Sequence, residues 1–145
     1  MTTYALAAVS AGHKATMAKA YFMDAVIDFS TTTNATNDVF QVFELPAYSM
    51  VLNAGIEVLT VDTAGNSGTV ALGDGTIVYV AAAVPTSAAF MTSFDAVAEG
   101  FVDYKAADTL DVTVGTGAIN AKIRVWAIVI DITNRGSSSQ VLDFA

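Results

Sequence analysis

The fold class is most evident in one stretch of sequence, Asn120-Ala-Lys-Ile-Arg-Val-Trp-Ala-Ile-Val-Ile-Asp-Ile-Thr133. Because side chains alternate along a strand, its residues divide into two faces. One face is apolar throughout and consists of Ile123, Val125, Ala127 and Val129. The other face begins with charges and ends apolar, in the order Lys122, Arg124, Trp126, Ile128 and Ile130. A long strand that is apolar on both faces for part of its length is typical of a β-sandwich or of a contact between subunits.

Upstream segments show the same period of two. In residues 21–29 the odd positions are apolar or aromatic, and the even positions include Asp24 and Asp28. Residues 108–114 alternate Thr or Asp with Leu or Val. Both patterns predict half-buried strands. Further strands, rich in β-branched and aromatic residues, are predicted at residues 38–45, 56–62, 69–72 and 76–81.

Turn residues separate these segments. Pro46 ends one strand, since proline has no N–H for a ladder, and glycine-rich turns lie at residues 64–68, 73–75 and 115–117. A short helix is conceivable only in residues 82–99, and Pro85 interrupts it. Short strands separated by frequent turns predict an all-β antiparallel sandwich.

The chain divides into three parts. Residues 1–20 are rich in alanine, lack the alternation and are predicted to form an N-terminal arm. Residues 21–134 form the predicted β-sandwich domain. Residues 135–145 form a C-terminal tail, in which a polar serine turn precedes the apolar tip Val141-Leu142-Asp143-Phe144.

Composition excludes several classes of protein. Hydrophobic residues make up 54% of the 145 residues and charged residues 14%, which is incompatible with intrinsic disorder. The net charge of −8 disfavours nucleic acid as a partner. Without cysteine and with the single histidine His13, disulfides, thiolate metal sites and a Ser-His-Asp triad are not expected. The charge order of residues 1–20 is wrong for a signal peptide, and no apolar run is long enough to span a membrane.

The sequence predicts no catalytic residue, no cofactor and no metal. Asp62–Asn66 and Gly73-Asp74-Gly75 place oxygen atoms in tight loops, which suits calcium, but the spacing of a calcium loop is not met. Local hydrogen bonds within turns explain these residues better. Paired carboxylates such as Asp24 with Asp28 fit solvated strand faces, and the glycine turns lack the features of a phosphate loop.

The low fraction of charged residues indicates a surface that contacts other proteins. Large apolar patches are rare on monomers, so we expect association, with a monomer coated in Thr, Ser and Asn as the alternative. Trp126 is predicted to lie in the core or at an interface, and the alternative is a platform for a sugar ring. His13, Lys14 and Lys19 are either a solvated part of the arm or a basic cluster that engages an acidic protein surface.

Several stretches, in this order and spacing, carry a resemblance to a known family. They are residues 1–4, 27–29, 37–42, 45–47, 54–60, 65–75, 106–113 and 122–126. In these stretches the sequence resembles the small capsid decoration proteins of tailed bacteriophages, also called cement or head-stabilising proteins. Beyond its first four residues, the arm does not take part in the resemblance.

The resemblance implies a jelly-roll-like β-sandwich, a homotrimer and a non-enzymatic structural role. The partner would be the major capsid protein, bound at the outer surface of the virion, after a stage in the host cytoplasm before assembly. We predict that Trp126, Ile128 and Ile130 form the subunit interface. Residues of the arm are predicted to contact the capsid, namely Tyr4, Leu6, Val9, His13, Lys14 and Lys19. The alternative is a carbohydrate-binding β-sandwich module of a tail fibre or head surface.

Overall fold

The structure is a computed structural model that describes residues 20–63, 67–86, 90–91 and 102–132. In this part of the chain there are nine strands and no helix. The strands are β1 Ala20–Asp28, β2 Val39–Leu45, β3 Ser49–Thr60, β4 Thr69–Gly73, β5 Val78–Ala83, β6 Phe90–Met91, β7 Val102–Tyr104, β8 Asp108–Gly115 and β9 Lys122–Asp131.

The strands form two antiparallel sheets. Sheet 1 has the order β1-β9-β3-β6, and β7 also pairs with β3. Sheet 2 has the order β2-β8-β4-β5. The prediction of an all-β antiparallel sandwich is therefore confirmed.

The connectivity is that of a jelly roll. The β4–β5 hairpin is the innermost pair, and β3 with β6 and β7, β2 with β8, and β1 with β9 follow outward along the chain. Most connections cross from one sheet to the other, so that the nested strand pairs wrap into two layers. The nested pairing confirms the jelly-roll-like expectation and places β1 and β9, the first and last described strands, side by side.

The core lies between the two inner faces. Its fully buried side chains are apolar and come from both sheets: Leu45, Val51, Ile56, Val70, Leu72, Leu110, Val112, Val114, Ile123, Val125 and Val129. Each such side chain contributes about 1.5–3 kcal/mol by leaving water. At one edge, Phe29 and Phe40 meet edge to face with ring centroids 5.3 Å apart and join the two layers.

The elements differ most from the prediction at three places. β3 begins at Ser49 rather than at residue 56, because a bulge between Val51 and Asn53 interrupts the alternation that marks a strand. β7 was not predicted, since three residues are too few for a periodic pattern. The possible helix at residues 82–99 is wrong where the structure describes it, because residues 82–83 end β5 and residues 90–91 form β6.

Candidate docking surface

The outer face of sheet 1 carries an apolar region in which Phe22 is exposed and the other side chains are half-buried. The register of β9 with its neighbours brings Phe22 of β1 beside Ile128 and Met50 of β3 beside Ile130. The side chain of Phe22 is 61% exposed, although phenylalanine is mostly buried in proteins. We call this region the apolar half; it comprises Phe22, Met50, Trp126, Ile128 and Ile130.

Trp126 is the centre of the apolar half. Its indole ring lies over Gly55, where a Cβ atom would come within 2.6 Å of Cζ2. On the other side its ring stacks with that of Phe22, with centroids 6.2 Å apart and planes inclined by 16°. The indole Nε1 is buried and has no hydrogen-bond partner among the described residues. The glycine therefore lets the ring lie flat on the sheet and form an aromatic surface together with Phe22.

The remainder of the same face is mainly charged and includes one exposed apolar side chain, Val26, opposite Arg124. Arg124 donates a hydrogen bond to Glu57 at 2.9 Å, and its Nε lies 3.9 Å from Asp24. Lys122 lies 3.4 Å from Asp28. The pKa of Asp28 is lowered because the Ser30 hydroxyl donates a hydrogen bond to its carboxylate and Lys122 lies nearby. We call this region the charged half; it comprises Asp24, Asp28, Glu57, Lys122 and Arg124.

Within the charged half, the acidic and basic side chains pair with each other, whereas the apolar half contains no such pairs. Five charged side chains from three strands pair with each other there, so their demand for an external partner is small. Exposed apolar side chains gain only by burial against something else. The apolar half is therefore the part of sheet 1 best suited to a protein contact.

The outer face of sheet 2 is chemically different. Its outward positions are mostly hydroxyl, amide or acidic side chains: Gln41, Glu44, Thr69, Thr109, Asp111 and Thr113. Gln41 donates to the Thr109 hydroxyl at 3.4 Å across the strand pair. A shallow depression of about 580 Å³ lies at one end of this face, between Glu44, Pro46 and Asp108. This face is mainly polar, although Val39 and Val78 on its outer side are 55% and 46% exposed.

A buried polar network connects the β4–β5 turn to β7. The hydroxyl of Tyr104 donates to Asp74 Oδ2 at 2.6 Å and lies 2.6 Å from the hydroxyl of Tyr79. Since the Tyr104 proton is used on Asp74, Tyr79 is the donor to Tyr104. Burial raises the pKa of Tyr79 to about 12 and raises that of Tyr104 as well. The network ties a turn of sheet 2 to a strand of sheet 1.

The two turn aspartates bond differently, Asp74 locally and Asp62 at long range. Asp74 Oδ1 accepts from the backbone N–H groups of Thr76 and Ile77, at 2.7 and 2.6 Å. At the Asp62 turn, the Asn120 N–H donates to Asp62 Oδ1 at 3.4 Å, and Asn120 Oδ1 accepts from the Thr63 N–H at 2.9 Å. Among the described residues, no group of three or more His, Asp or Glu side chains is placed to hold a metal. Asp74 therefore acts as a turn former, as its sequence context predicts.

The structure describes part of the predicted contact set. Trp126, Ile128 and Ile130 lie together on the outer face, as their spacing predicts. The sequence alone did not reveal their neighbours Phe22, Met50 and Gly55, because these belong to other strands and only the register brings them to β9. The arm residues Tyr4, Leu6, Val9, His13, Lys14 and Lys19, and the tail, lie outside the described residues. In the described part of the chain, no helix is long and apolar enough to cross a membrane.

Solved structures with a similar fold include chains of two phage capsids. One is a chain of the acid-stable capsid of Helicobacter pylori bacteriophage KHP30, with a TM-score of 0.50, 14% identity, and coverage of 77% of this chain and 86% of that chain. The other is a chain of the capsid of Ralstonia phage GP4, with a TM-score of 0.51, 18% identity, and coverage of 77% and 83%. The sequence matches no protein-family model and no curated protein. At these identities the likeness establishes the shared fold.

Proposed function

We propose that this chain is a structural protein of a bacteriophage virion that binds the outer surface of the head. In this role it is a decoration or cement protein, without enzymatic activity, that stabilises contacts between major capsid subunits. A ligand that binds only the assembled shell stabilises that shell by mass action. The observation that carries the proposal is the apolar half, in which half-buried apolar side chains surround the exposed Phe22 on the outer face of a jelly roll.

The comparisons support the coarser part of this proposal, a structural protein of a phage capsid. Both similar chains come from phage capsids, and the likeness covers more than three quarters of this chain. The net charge of −8 suits the outside of a head better than an inside lined with DNA. The absence of cysteine suits assembly in a reducing cytoplasm.

Self-association is part of the proposal. Trp126, Ile128 and Ile130 form the contact between copies, and the copies form a homotrimer. The outer face of sheet 2 then faces solvent, in agreement with its hydroxyl and acidic side chains. The arm, through Tyr4, Leu6, Val9, His13, Lys14 and Lys19, reaches the neighbouring capsid subunit.

Co-sedimentation with heads that lack this chain tests the proposal. The full-length protein is expected to pellet with such heads and to saturate at a defined stoichiometry. Ile128→Lys, on the apolar half, is expected to abolish trimer formation and to weaken binding several-fold. Thr113→Lys is the matched control on the outer face of sheet 2 and is expected to bind normally. A wild-type chain that stays in the supernatant at all concentrations contradicts the proposal.

The arm requires its own test. In the full-length chain, replacing both Lys14 and Lys19 with alanine is expected to weaken head binding while the trimer persists in sedimentation velocity. The reason is that the two lysines supply the positive charge that meets an acidic capsid surface. Unchanged binding by this variant excludes a role of these lysines in the capsid contact.

A carbohydrate-binding module is the second candidate. The specific observation in its favour is the stacked pair of Phe22 and Trp126, because exposed aromatic rings are platforms for sugars. Among the neighbours of this pair, Met50, Ile128 and Ile130 are apolar, whereas Asp24, opposite Trp126, and Asn53, opposite Ile128, carry the polar groups that would bond to sugar hydroxyls. A glycan array, probed with and without calcium, separates the candidates: a saturable glycan signal that Phe22→Ala abolishes favours the module.

A further inference from the structure

We infer that the free edge of β1 pairs with the same edge of a second copy of this chain, so that sheet 1 continues across a twofold axis from one copy to the other. This contact joins two strand edges, and it is separate from the apolar half, which lies on a face of the sheet. The inference does not rest on the proposed function.

The edge of β1 carries unpaired backbone groups. β1 lies at the end of sheet 1, and β9 is its one hydrogen-bonded neighbour among the described strands. No other backbone hydrogen bond joins residues 20–27 to the described part of the chain. In an antiparallel pair, alternate residues direct their N–H and C=O groups to the partner strand and the others direct them away. β1 therefore presents a row of donors and acceptors that can pair with an added strand.

The other described edge strands carry features that discourage such pairing. β2 has a bulge between Gln41 and Phe43, and the β4–β5 pairing shifts its register twice. β6 and β7 have only 2 and 3 residues. β1 keeps one continuous register with β9 over 9 residues and contains neither proline nor lysine, and its two aspartates are paired with Lys122 and Arg124 of β9. β1 is therefore the long, regular edge on which strand addition is expected.

The inner side of β1 is incompletely covered. Four of its apolar side chains pack against the core and are only half-buried: Tyr21, Met23, Ala25 and Ile27. The adjacent inner row of β9 is fully buried. A further strand at this edge, apolar on its inner side, would remove more of these side chains from water. β1 of a second copy has this pattern.

Twofold symmetry restricts which residues meet. Across a twofold axis perpendicular to the sheet, odd residues lie opposite odd ones and even opposite even ones, so the two inner rows join and free N–H groups meet free C=O groups. A pairing centred on Asp24 would place this carboxylate opposite its own copy, which is unfavourable. A pairing centred on Met23 or on Ala25 joins residues 20–26 or 22–28 to their copies and sets no acid opposite an acid.

Disulfide trapping tests the contact, because the natural chain contains no cysteine. Met23→Cys, Asp24→Cys and Ala25→Cys are made singly in the full-length chain and treated with oxidised glutathione. The residue at the centre of the pairing lies directly opposite its own copy, near the separation that a disulfide needs. We expect either Met23→Cys or Ala25→Cys to form a cross-linked dimer several-fold faster than the other two variants. Gln41→Cys, on the edge strand β2, is the matched control and is expected to stay uncross-linked. Equal trapping of all four variants indicates random collision and overturns the contact.

Amide hydrogen exchange of the wild-type chain identifies the occupant of the edge without any substitution. Alternate amides of residues 21–27 are expected to exchange fast in dilute solution and several-fold more slowly in concentrated solution. Fast exchange of all these amides in concentrated solution overturns the pairing. Protection of the whole row in a chain that sediments as a monomer overturns the assignment to a second copy, because the edge is then covered within one chain.

The variant Ile128→Lys separates this contact from the one on the apolar half. It is expected to lose the trimer and to keep the dimer trapped through Met23→Cys or Ala25→Cys. Loss of trapping in this variant overturns the edge as a separate contact. Trapped dimers of a chain that never binds heads support the edge pairing and exclude the capsid role. Head binding by a chain that is trapped at none of the three positions supports the capsid role and excludes the edge pairing.

Discussion

The indole ring of Trp126 lies directly on Gly55 of the neighbouring strand, and the two residues face each other in the β3–β9 register. The ring occupies the space that any side chain at position 55 would need. This pair therefore sets the shape of the outer face of sheet 1, since it determines whether the largest aromatic side chain lies flat or is pushed away.

Replacing Gly55 with alanine tests this relationship. The new methyl group would lie 2.6 Å from the indole, so the ring has to move. We expect a loss of about 1–3 kcal/mol in the free energy of unfolding, as is usual for overpacking, and a red-shifted emission of Trp126. Denaturant unfolding followed by fluorescence measures both.

A double-mutant cycle assigns this loss to the ring. In the Trp126→Leu background, Gly55→Ala is expected to cost much less, because the smaller side chain leaves room for the methyl group. The coupling between the two positions is expected to exceed about 0.5 kcal/mol. Equal costs of Gly55→Ala in both backgrounds contradict the contact.

The tyrosine network predicts an asymmetry between two similar substitutions. Tyr104→Phe removes the donor to Asp74 and leaves the hydroxyl of Tyr79 without its acceptor. Tyr79→Phe leaves the bond from Tyr104 to Asp74 intact. We therefore expect Tyr104→Phe to cost about 1–3 kcal/mol of unfolding free energy and Tyr79→Phe about 1 kcal/mol or less. Urea unfolding of both variants measures the difference, and the opposite order refutes the assigned donor directions.

Alkaline pH is expected to destabilise the fold through the same network. Burial raises the pKa of Tyr79 to about 12 from an ordinary value of 10.0, so the folded state favours the protonated phenol. Tyr104 shifts in the same direction. For a raised pKa, the stability is complete below the unfolded value and decreases as pH rises from about 10 towards 12. Unfolding curves across this range measure the loss.

The double variant Tyr79→Phe/Tyr104→Phe is the control for the pH effect. It is expected to be less stable at neutral pH and to lose less stability between pH 9 and pH 11, because these two phenols no longer titrate. An unchanged slope in the double variant assigns the alkaline loss to other groups.

The charged half is expected to contribute little to stability. Arg124 pairs with Glu57 and Asp24, but its side chain is 43% exposed, so water and salt screen both pairs. Arg124→Met is expected to cost about 0.5–1 kcal/mol at low ionic strength, and less at high salt. Thermal unfolding at two salt concentrations measures this dependence, and a large, salt-independent loss indicates packing rather than charge as the role of Arg124.

The sequence predicts the sandwich because strand alternation is a local property. β8 and β9 alternate strictly, so their predicted limits lie within two residues of the observed ones. Only the second part of β3 was predicted, because the bulge after Val51 shifts the inward positions of this strand by one residue. The bulge depends on pairing with β9, which no local pattern encodes.

The docking surface was predicted in outline only. The change from charged to apolar along β9 is visible in the sequence, but the neighbouring strand does not change at the same place, since Asp24 lies opposite Trp126 and Val26 opposite Arg124. Phe22 and Gly55 could not be assigned to this surface, since the register between distant strands decides which residues meet. Asp74 shows the same limit of prediction from local sequence. Its turn was predicted, but its hydrogen bond to Tyr104 was not, because Tyr104 lies far along the chain.

Binding of this chain across the phage head is tested by quantitative mass spectrometry of purified phage particles, which gives the copy ratio of this chain to the major capsid protein. A protein that covers the head surface predicts a ratio near one, or a simple fraction set by the threefold positions of the lattice. A few copies per particle, or none, contradict a capsid-wide role.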